Sequence, residues 1–332
     1  MSNNILVTGG AGYIGSHIVR RLGEAGYNVT VYDNCSTGFA HSVLYGELII
    51  GDLADIHHLY QVFAKHQFSA VIHLAARLVV PDSVMYPLDY YTNNTYNTIN
   101  LLRCCSVMGV NQLIFSSTAA VYGNPQENPV TENTPTLPIN PYGRSKLMSE
   151  AIIQDYAYAS RLRYVILRYF NVGGADPAGR IGQNSHYASH LIASACNAVL
   201  KRQPELKIFG TDFPTPDGTG VRDYIHVEDL ASAHIDSLCY LEQDGESQIF
   251  NCGYGEGYSV RQVVERIKAI SGVDFPVINE ARRLGDPACV TACAQKIKQV
   301  LNWQPKYNNL DDIISSSLAW EMSKLNRDNG VN

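Results

Sequence analysis

The sequence predicts an α/β protein, in which a doubly wound parallel sheet is followed by a smaller C-terminal α/β domain. Two observations support this. In the first half of the chain, short apolar segments typical of buried strands alternate with helical segments, and this alternation favours parallel pairing. After residue 171, glycine- and proline-rich loops separate shorter elements. We therefore predict domains at 1–171 and 172–332, with a segment at about 225–252 packing back on the first domain.

Composition excludes several functional classes. The chain has 332 residues, 45% of them apolar, which fits one large domain or two closely joined domains. A net charge of -6 argues against nucleic-acid binding and leaves no basic patch for a membrane surface. No apolar run reaches the roughly 18 residues of a membrane-spanning helix. Residues 1–4 lack the features of a secretion signal. Eight cysteines without a Cys-x-x-Cys pair predict reduced thiols in a cytoplasmic protein.

A glycine-rich turn follows the first predicted strand, residues 5–8. Gly9, Gly12 and Gly15, with the residues between them, satisfy the spacing G-x-x-G-x-x-G, and a helix is predicted to open at Ser16. Glycines let the backbone approach a pyrophosphate, and the helix N-terminus supplies N–H donors. The context of strand, turn and helix predicts a Rossmann-type dinucleotide site. The alternative is a glycine turn that binds no ligand.

An acidic residue ends the second predicted strand, residues 28–32. Asp33 lies 18 residues beyond Gly15, about where a carboxylate bonds a ribose 2′-hydroxyl. The same carboxylate would repel the 2′-phosphate of NADP, so the sequence predicts NAD as the cofactor. After a third strand at 48–50, Asp52 could accept a hydrogen bond from adenine or cap the next helix.

Polar residues also follow the next predicted strands. The fourth, residues 70–76, runs into alanines that suit close approach of a cofactor, and a long helix is predicted over 87–108. The fifth, residues 113–115, ends in Ser116, Ser117 and Thr118. These hydroxyls could bind a reacting sugar oxygen, or they could satisfy the backbone of their own loop.

Tyr142 and Lys146 begin a helix predicted to run to about residue 160, before a sixth strand at 163–169. Positions i and i+4 lie on one helix face. Because a nearby cation lowers the pKa of a phenol, the pair could accept a proton from a sugar hydroxyl. The alternative is an exposed tyrosine beside a solvated lysine.

The second half contains predicted helices at about 188–201 and 228–242 and strands at 221–227 and 249–252. Arg222 and Arg283 are candidate clamps for a substrate diphosphate, and the alternative for each is a solvated or structural arginine. His186 and His190 have the i, i+4 spacing of zinc ligands, but no third ligand is evident, so we expect no metal site.

Taken together, nine stretches resemble one family. They are residues 8–17, 33–34, 51–52, 73–75, 90–94, 115–123, 142–146, 167–171 and 217–227. The last, DGTGVRDYIHV, is the most specific. The chain resembles the UDP-glucose 4-epimerases of the extended short-chain dehydrogenase/reductase superfamily, over nearly its whole length.

The resemblance implies tightly held NAD and a cycle in which a UDP-hexose is oxidised at C4, turns over as the 4-keto sugar, and regains the hydride on its other face. It implies that Tyr142 takes the proton of the sugar 4-hydroxyl, that Lys146 lowers the pKa of Tyr142 and holds the nicotinamide ribose, and that Thr118 contacts the reacting hydroxyl. Family members are commonly homodimers, in which the helices near 87–108 and from Tyr142 form an intersubunit four-helix bundle.

The resemblance and the motifs also give the expected contact residues. With the cofactor we expect contacts from Gly9, Gly12, Tyr13, Ile14, Gly15, Asp33, Asn34, Asp52, Leu53, Ala75, Asn93, Lys146 and Phe170. With the UDP-sugar we expect contacts from Thr118, Tyr142, Asn171, Leu191, Phe209, Arg222, Tyr224, Arg283, Asp286 and Cys289.

Three positions depart from the family pattern. Thr118 replaces a common serine and keeps the hydroxyl, whereas Leu78 stands where a lysine would touch the cofactor. Cys289 stands where members restricted to non-acetylated sugars have a bulky tyrosine. A small residue there leaves room for a 2-acetamido group, so we expect activity on UDP-GlcNAc and UDP-GalNAc as well as on UDP-Glc and UDP-Gal.

Other activities fit the sequence less well. A 4,6-dehydratase needs an acid/base pair after the threonine, and Ala119 and Ala120 cannot transfer protons. A 4-reductase needs exchangeable NADPH, which Asp33 disfavours. A non-catalytic NAD-binding sensor would have no need of Tyr142, Lys146 and Thr118 together.

Overall fold

A computed structural model describes residues 3–184 and 190–328, with side chains described to residue 325. Its strands are, in chain order, β1 (Asn4–Thr8), β2 (Asn28–Asp33), β3 (Glu47–Ile50), β4 (Ala70–His73), β5 (Gln112–Ser116), β6 (Arg163–Tyr169), β7 (Asn171–Gly173), β8 (Leu206–Phe209), β9 (Val221–His226), β10 (Gln248–Cys252), β11 (Gly257–Ser259), β12 (Val277–Glu280) and β13 (Cys289–Val290).

The helices surround these strands. They are, in chain order, α1 (Tyr13–Glu24), α2 (Ile56–His66), α3 (Val80–Met85), α4 (Pro87–Tyr90), α5 (Asn97–Met108), α6 (Pro141–Tyr158), α7 (Leu191–Val199), α8 (Val227–Glu242), α9 (Val260–Ser271), α10 (Gln295–Leu301) and α11 (Leu310–Asp328). None of the described helices is both long enough and apolar enough to cross a membrane.

The large sheet confirms the predicted fold class. Its seven parallel strands follow the order β10-β6-β5-β4-β1-β2-β3. The order reverses direction between β1 and β4, and in doubly wound sheets ligands bind at such a switch point, beyond the carboxyl ends of the strands. The glycine-rich turn after β1 and the residues after β4 and β5 therefore meet at one edge.

Each face of this sheet carries its own apolar core. On one face, Ile18 of α1 and Leu230 of α8 pack against Val7 and Val31 of the sheet. On the other face, side chains of α2, α5 and α6 form a second core, which includes Phe63, Leu101 and Ile153. Because strands covered on both faces bury every side chain, they show the continuous apolar runs seen in the sequence.

The chain leaves this sheet after β6 and returns to it through α8 and β10. β10 pairs in parallel with β6, and α8 packs on α1. Between and after these elements, β11, β9 and β13 form a small sheet with β7 joined to β9, while β8 pairs with β12. Helices α7, α9 and α11 bury a separate core there, including Ile192, Val264 and Ile314. The domain division at residue 171 stays a prediction.

Several predicted boundaries were wrong. α1 begins at Tyr13 rather than Ser16, because the helix follows directly on Gly12. β4 ends at His73 rather than at residue 76, since the N–H groups of Leu74 and Ala75 both turn to the Thr8 carbonyl. α6 ends at Tyr158, two residues early.

Other corrections concern helices. The segment 87–108 is not one α-helix, because a π-helical turn, Tyr91–Tyr96, separates α4 from α5. The cap of α2 is Asp55, which accepts a hydrogen bond from the His58 N–H at 3.0 Å, and not Asp52. α7 is shorter than the predicted 188–201, and Lys201 has left-handed backbone geometry. Residues 188 and 189 of that prediction lie outside the described residues. β9 ends at His226, so Val227 opens α8.

Candidate active site

The turn after β1 is shaped for close approach of a ligand. Gly9 has a φ of +74°, which favours glycine, and a Cβ at Gly15 would lie 2.2 Å from the Gly9 carbonyl oxygen. At Gly12 the situation is different, since the one described atom near an added Cβ, outside its chain neighbours, is the same oxygen at 3.3 Å. Gly15 is therefore required for packing, whereas an added Cβ at Gly12, beside the N-terminus of α1, would be crowded by that one oxygen alone. This cradle fits a pyrophosphate.

Asp33, at the end of β2, lies beside this turn. Its Oδ2 accepts a hydrogen bond from the Ala11 N–H at 2.9 Å, and its Oδ1 accepts one from the Cys35 N–H at 2.8 Å. Burial raises the pKa of Asp33, although both N–H groups oppose that shift. The two bonds orient a carboxylate that keeps lone pairs for a further donor, as a ribose hydroxyl would be.

Two more of the expected cofactor residues form a pair beyond Asp33. Asn34 donates from Nδ2 to Asp52 Oδ2 at 2.8 Å, and Asp52 Oδ1 accepts from the Ala54 N–H at 2.8 Å. Leu53 is buried, and its carbonyl accepts a bond from Asn100 at 3.1 Å. A polar pair beside an apolar side chain is a surface that suits an adenine ring.

The opposite end of the turn contacts both halves of the chain. The Tyr13 hydroxyl donates to the Gly174 carbonyl at 2.6 Å, and Ile14 packs partly buried against the sheet core. Phe170 is buried, with its N–H bonded to the Cys252 carbonyl at 3.3 Å.

Two further expected cofactor residues lie at the edge of this end. Ala75 contacts Gly9 so closely that a Cβ on the glycine would lie 2.6 Å from the Ala75 nitrogen. Asn93 lies in the π-helical turn and donates to Asn94 Oδ1 at 3.0 Å. The glycine-rich turn, with Asp33 beside it and Ala75 against it, fits a dinucleotide, and the full set of NAD contacts stays a prediction.

The start of α6 is held against the loop that follows β5. Asn140 caps α6, accepting from the Gly143 N–H at 2.8 Å, and Pro141 occupies the first turn, where a missing N–H is tolerated. A Cβ at Gly143 would lie 2.5 Å from the Ala120 carbonyl oxygen. This close approach of helix and loop places Tyr142 beside Thr118.

The surroundings of Tyr142 differ from the sequence expectation. Burial raises the pKa of Tyr142, and a hydrogen bond with Thr118 opposes that shift. The resemblance implies that Lys146 lowers the pKa of Tyr142, and that role stays a prediction. Thr118 itself is oriented by the Ala120 N–H, which donates to its Oγ1 at 3.1 Å. The side chains of Thr118 and Tyr142 are therefore in direct hydrogen-bond contact.

Lys146 lies one helical turn after Tyr142 and is almost fully buried. Burial lowers the pKa of Lys146 to about 7, and the charge of Glu150 opposes this shift. Its Nζ lies 4.5 Å from the centre of the Phe115 ring. Burial, together with the charge of Lys146, lowers the pKa of His73 to about 3, so the histidine is neutral. Lys146 therefore lies buried at the floor of the candidate site, with its pKa held below the ordinary value.

Several expected substrate residues are brought together by the small sheet. In its register, Asn171 of β7 pairs with Tyr224 of β9, and Cys289 of β13 pairs with Val221, next to Arg222. Asn171 is exposed and Tyr224 is buried. The small sheet therefore brings together residues that are far apart in the sequence.

The two candidate arginine clamps differ. Arg222 donates to the carbonyls of Pro287 at 2.6 Å and Ala288 at 3.3 Å, so much of its guanidinium has a structural role. Arg283 lies over the Phe209 ring, with Cζ 3.9 Å from the ring centre, and its buried Nε has no partner among the described residues.

The last expected substrate residues flank these arginines. Asp286 acts on Arg222 through its charge. Leu191 opens α7, which packs into the same small core as Tyr224.

A comparison with known families identifies the chain. A model of the NAD dependent epimerase/dehydratase family matches residues 5–253, well over half of the chain. The chain belongs to this family. The resemblance that the motifs predicted is therefore confirmed.

Individual relatives agree with the family. A UDP-glucose 4-epimerase from Azospirillum brasilense is 50% identical over 97% of this chain and 93% of its own. A UDP-glucose 4-epimerase from Brucella ovis, solved in complex with NAD, superposes with a TM-score of 0.92 at 43% identity and covers 96% of this chain and 98% of its own. The UDP-Glc/GlcNAc 4-epimerase from Campylobacter jejuni has a TM-score of 0.84 at 44% identity, covering 96% and 99%.

The three hydroxyl side chains at the end of β5 and just after it have different hydrogen-bond partners. Ser116 hydrogen-bonds His234 Nε2 at 2.8 Å, and Ser117 donates to the buried carboxylate of Glu150. Thr118 alone of the three is turned to Tyr142. Residue type alone does not make this distinction, because all three side chains carry the same donor and acceptor, and only the family resemblance singled out Thr118.

Two polar residues near the site were missed by the sequence analysis. Glu150 is buried and pairs with Arg168 at 2.6 Å. Its negative charge raises the pKa of Lys146 and so opposes the effect of burial. The signal was available, since Tyr142, Lys146 and Glu150 repeat at intervals of four residues on one helix face. Asn94 was not among the expected contact residues, yet its amide donates to the Ser145 hydroxyl of α6 at 2.9 Å.

Two other expectations concern the cofactor contact at position 78 and the absence of a metal site. Leu78, where a lysine was expected, is half exposed and provides no polar group. His186 lies outside the described residues. Within the described ranges no cluster of three or more metal-binding side chains occurs, and the expected lack of a metal stays a prediction.

Proposed function

We propose that this protein is a UDP-glucose 4-epimerase, which interconverts UDP-glucose and UDP-galactose and keeps NAD bound throughout. The observation that carries this proposal is the burial of Tyr142 against Thr118, one helical turn from Lys146. Relatives with this name are 50% and 42% identical over nearly the whole chain. A dehydratase is disfavoured, because Ala119 and Ala120 offer no acid/base pair.

The side chains divide the work of a reversible oxidation. When bound, NAD supplies the hydride acceptor, and later the hydride donor, for C4 of the sugar. Tyr142 accepts the proton of the 4-hydroxyl as the C–O bond becomes a carbonyl, and it returns that proton after the sugar has turned over. Thr118 hydrogen-bonds Tyr142 and favours its charged form. Lys146 adds positive charge beneath the pair.

The test uses purified protein without added cofactor. UDP-galactose is supplied and the sugars are followed by NMR, with a Tyr142→Phe variant in parallel. We expect equilibration with UDP-glucose by the wild-type protein and not by the variant. A 4-keto-6-deoxy product would indicate a dehydratase instead. Lack of any conversion, even after NAD is added, would overturn the proposal, and NAD binding alone would then favour a sensor.

A second substrate pair is part of the proposal. Cys289 is a small, partly buried side chain at the end of the small sheet, next to the Arg222 strand position. It leaves more space than a tyrosine, so a 2-acetamido group fits, and we include UDP-GlcNAc and UDP-GalNAc as substrates. The Campylobacter jejuni relative, named for both kinds of sugar, supports this extension.

The proposal also covers assembly and location. Large apolar side chains are exposed on the segment 85–108 and on α6, namely Met85, Leu88, Tyr96, Val107, Met148 and Tyr158. Such a patch on two neighbouring helices suits a homodimer with a four-helix bundle. Light scattering of the purified protein tests this, and a monomer at micromolar concentration would contradict it. All eight cysteines are free, which fits a cytoplasmic protein.

A further inference from the structure

The side-chain amide of Asn140 makes two hydrogen bonds to different parts of the chain. Its Oδ1 accepts from the Gly143 N–H at 2.8 Å and so caps α6. Its Nδ2 donates to the Gly285 carbonyl at 3.2 Å, across 145 positions of sequence. The residue is buried. A cap needs only the oxygen, so the second bond is not explained by helix capping.

The second bond reaches the loop of residues 281–288, which carries Arg283 and Asp286 and leads into Cys289. The end of this loop is well anchored. Arg222 donates to the carbonyls of Pro287 and Ala288, and the Val221 N–H donates to Ala288 at 2.9 Å.

The middle of the loop is held differently. Within the described ranges, residues 284–286 make a single hydrogen bond, which the Gly285 carbonyl accepts from Asn140. It therefore fixes the middle of the loop against the helix that carries Tyr142. Arg282 holds the start of the loop through Asp212, and Arg222 holds its end. Without the Asn140 bond, residues 284–286 would be free to shift between these two anchors.

The backbone of Gly285 is suited to this contact. Its φ is +86°, a conformation that favours glycine, and an added Cβ would lie 3.2 Å from Asn140 Cβ. The glycine thus lets the loop turn sharply and lets its carbonyl approach the buried amide. The two residues match each other in shape as well as in hydrogen bonding.

We propose that Asn140 is a positioning residue for the nucleotide-sugar, holding the 281–288 loop at a fixed distance from Tyr142 through Gly285. This inference rests on the proposed function. The loop presents Arg283, whose buried Nε has no partner among the described residues, to an anionic group of the ligand. Asn140 does not touch the reacting atoms, and it acts through the loop that binds the rest of the molecule.

Two substitutions separate the loop bond from the cap. Asn140→Asp keeps an oxygen for the Gly143 N–H, is an equally good cap, and places an acceptor opposite the Gly285 carbonyl. Asn140→Ser also caps, and its side chain is too short to reach Gly285. The matched control is Asn128→Asp. Asn128 likewise accepts from a backbone N–H, of Thr291 at 3.0 Å, and donates to a backbone carbonyl, of Cys289 at 3.1 Å.

The measurements are the binding of UDP to the NAD-loaded enzyme by calorimetry, the KM and kcat for UDP-galactose, the thermal midpoint and the NAD content. For both Asn140 variants we expect the dissociation constant of UDP and the KM to rise together, by roughly three- to tenfold, as for one lost hydrogen bond. We expect kcat and NAD content to stay near wild-type values, because the lost interaction contributes equally to the binding of substrate and transition state. The thermal midpoint should fall more for Asn140→Asp than for Asn140→Ser, since the buried carboxylate would face a carbonyl. Asn128→Asp should change UDP binding less, since other bonds hold that end of the loop.

Three results would overturn the inference. One is unchanged UDP binding in both Asn140 variants while the wild-type enzyme epimerises. Another is a fall in kcat or NAD content without a change in UDP binding, which would assign Asn140 to helix capping alone. The third is an equal loss in Asn128→Asp. If the wild-type protein neither binds UDP nor converts UDP-galactose, the proposed function fails first, and the inference fails with it.

Discussion

Glu150 and Arg168 form a buried ion pair one helical turn beyond Lys146, with Arg168 Nη2 2.6 Å from Glu150 Oε2 and Arg168 Nε 3.1 Å from Glu150 Oε1. Both side chains are almost fully buried. Ser117 donates to the same carboxylate, and Tyr122 lies against the guanidinium. The pair therefore joins α6, β6 and the loop of Thr118 beneath the candidate active site.

Breaking this pair from one side should be costly. We expect Glu150→Gln to lower the free energy of unfolding by about 3–5 kcal/mol, because a buried guanidinium loses its counter-charge. Urea denaturation measures this. The double variant Glu150→Gln with Arg168→Met should lose less than the sum of the single variants. Asp244→Asn breaks an ion pair whose carboxylate is exposed and keeps a residue type that tolerates the left-handed backbone there, so this control should cost under about 1 kcal/mol. Additive losses would show that the two side chains act independently.

Two glycines of the turn after β1 should respond differently to alanine. A Cβ at Gly15 would meet backbone atoms of Gly9 at 2.2 Å and Gly10 at 2.7 Å, so Gly15→Ala should destabilise the protein by about 1–3 kcal/mol or more. A Cβ at Gly12 meets no described backbone closer than 3.3 Å. Gly12→Ala should therefore fold normally and lose most of its bound NAD. Thermal melting and the cofactor content of purified protein test both. Full NAD in Gly12→Ala would place the pyrophosphate elsewhere.

Thr118 should control the pH dependence of turnover. Burial raises the pKa of Tyr142, and the Thr118 hydroxyl opposes that rise. Thr118→Val removes the opposing bond, so the pKa of Tyr142 should rise further. The rate requires the charged phenolate, and its rising limb should therefore move to higher pH, with a fall of roughly 10²-fold near neutrality. Thr118→Ser keeps the hydroxyl and should retain the wild-type profile. An unmoved profile in the valine variant would separate Thr118 from Tyr142.

Glu228 should contribute to stability in a pH-dependent way. Burial raises its pKa, but the hydrogen bond with His17 and the charges of Arg20 and Arg21 outweigh this and lower the pKa from 4.5 to about 2. Because the folded state binds the proton less well, the contribution is present above pH 4.5 and is lost as the pH falls towards 2.

The test compares the wild-type protein with Glu228→Gln by urea denaturation across this range. The difference in unfolding free energy should be about 3 kcal/mol above pH 5 and should shrink in acid. Glu47→Gln removes an exposed carboxylate and is the control, for which we expect a small and nearly constant difference. A constant difference for Glu228→Gln would assign its effect to packing.

Cys289 should decide the range of sugars. We expect Cys289→Tyr to retain conversion of UDP-galactose and to lose conversion of UDP-GalNAc by roughly 10²-fold, since a ring would fill the space of the acetamido group. Cys289→Ala should retain both. NMR of the two sugar pairs measures the ratio. Full activity of the tyrosine variant on UDP-GalNAc would refute the pocket argument.

Local patterns account for the parts of the fold and site that could be predicted. The apolar runs gave all six strands of the first half, with errors only at their ends, because a strand buried on both faces needs apolar residues at every position. The turn after β1 was predictable from its glycines, and Tyr142 and Lys146 from their spacing on one helix. The strands β8 and β12 were not predicted, since Lys207 and Asn279 interrupt their short apolar segments, whereas β3 and β4, of the same length, contain unbroken apolar runs.

The sequence by itself determined the parallel α/β fold, the dinucleotide site and the shared helix face of Tyr142 and Lys146, because each depends on residues close together in the chain. Only the tertiary structure placed the Thr118 hydroxyl in a hydrogen bond with the buried Tyr142, where it opposes the rise in the tyrosine pKa. It also decided that Asn140 reaches Gly285. Both depend on burial and on contacts between distant segments. These arise only when the large sheet, α6 and the small sheet pack together.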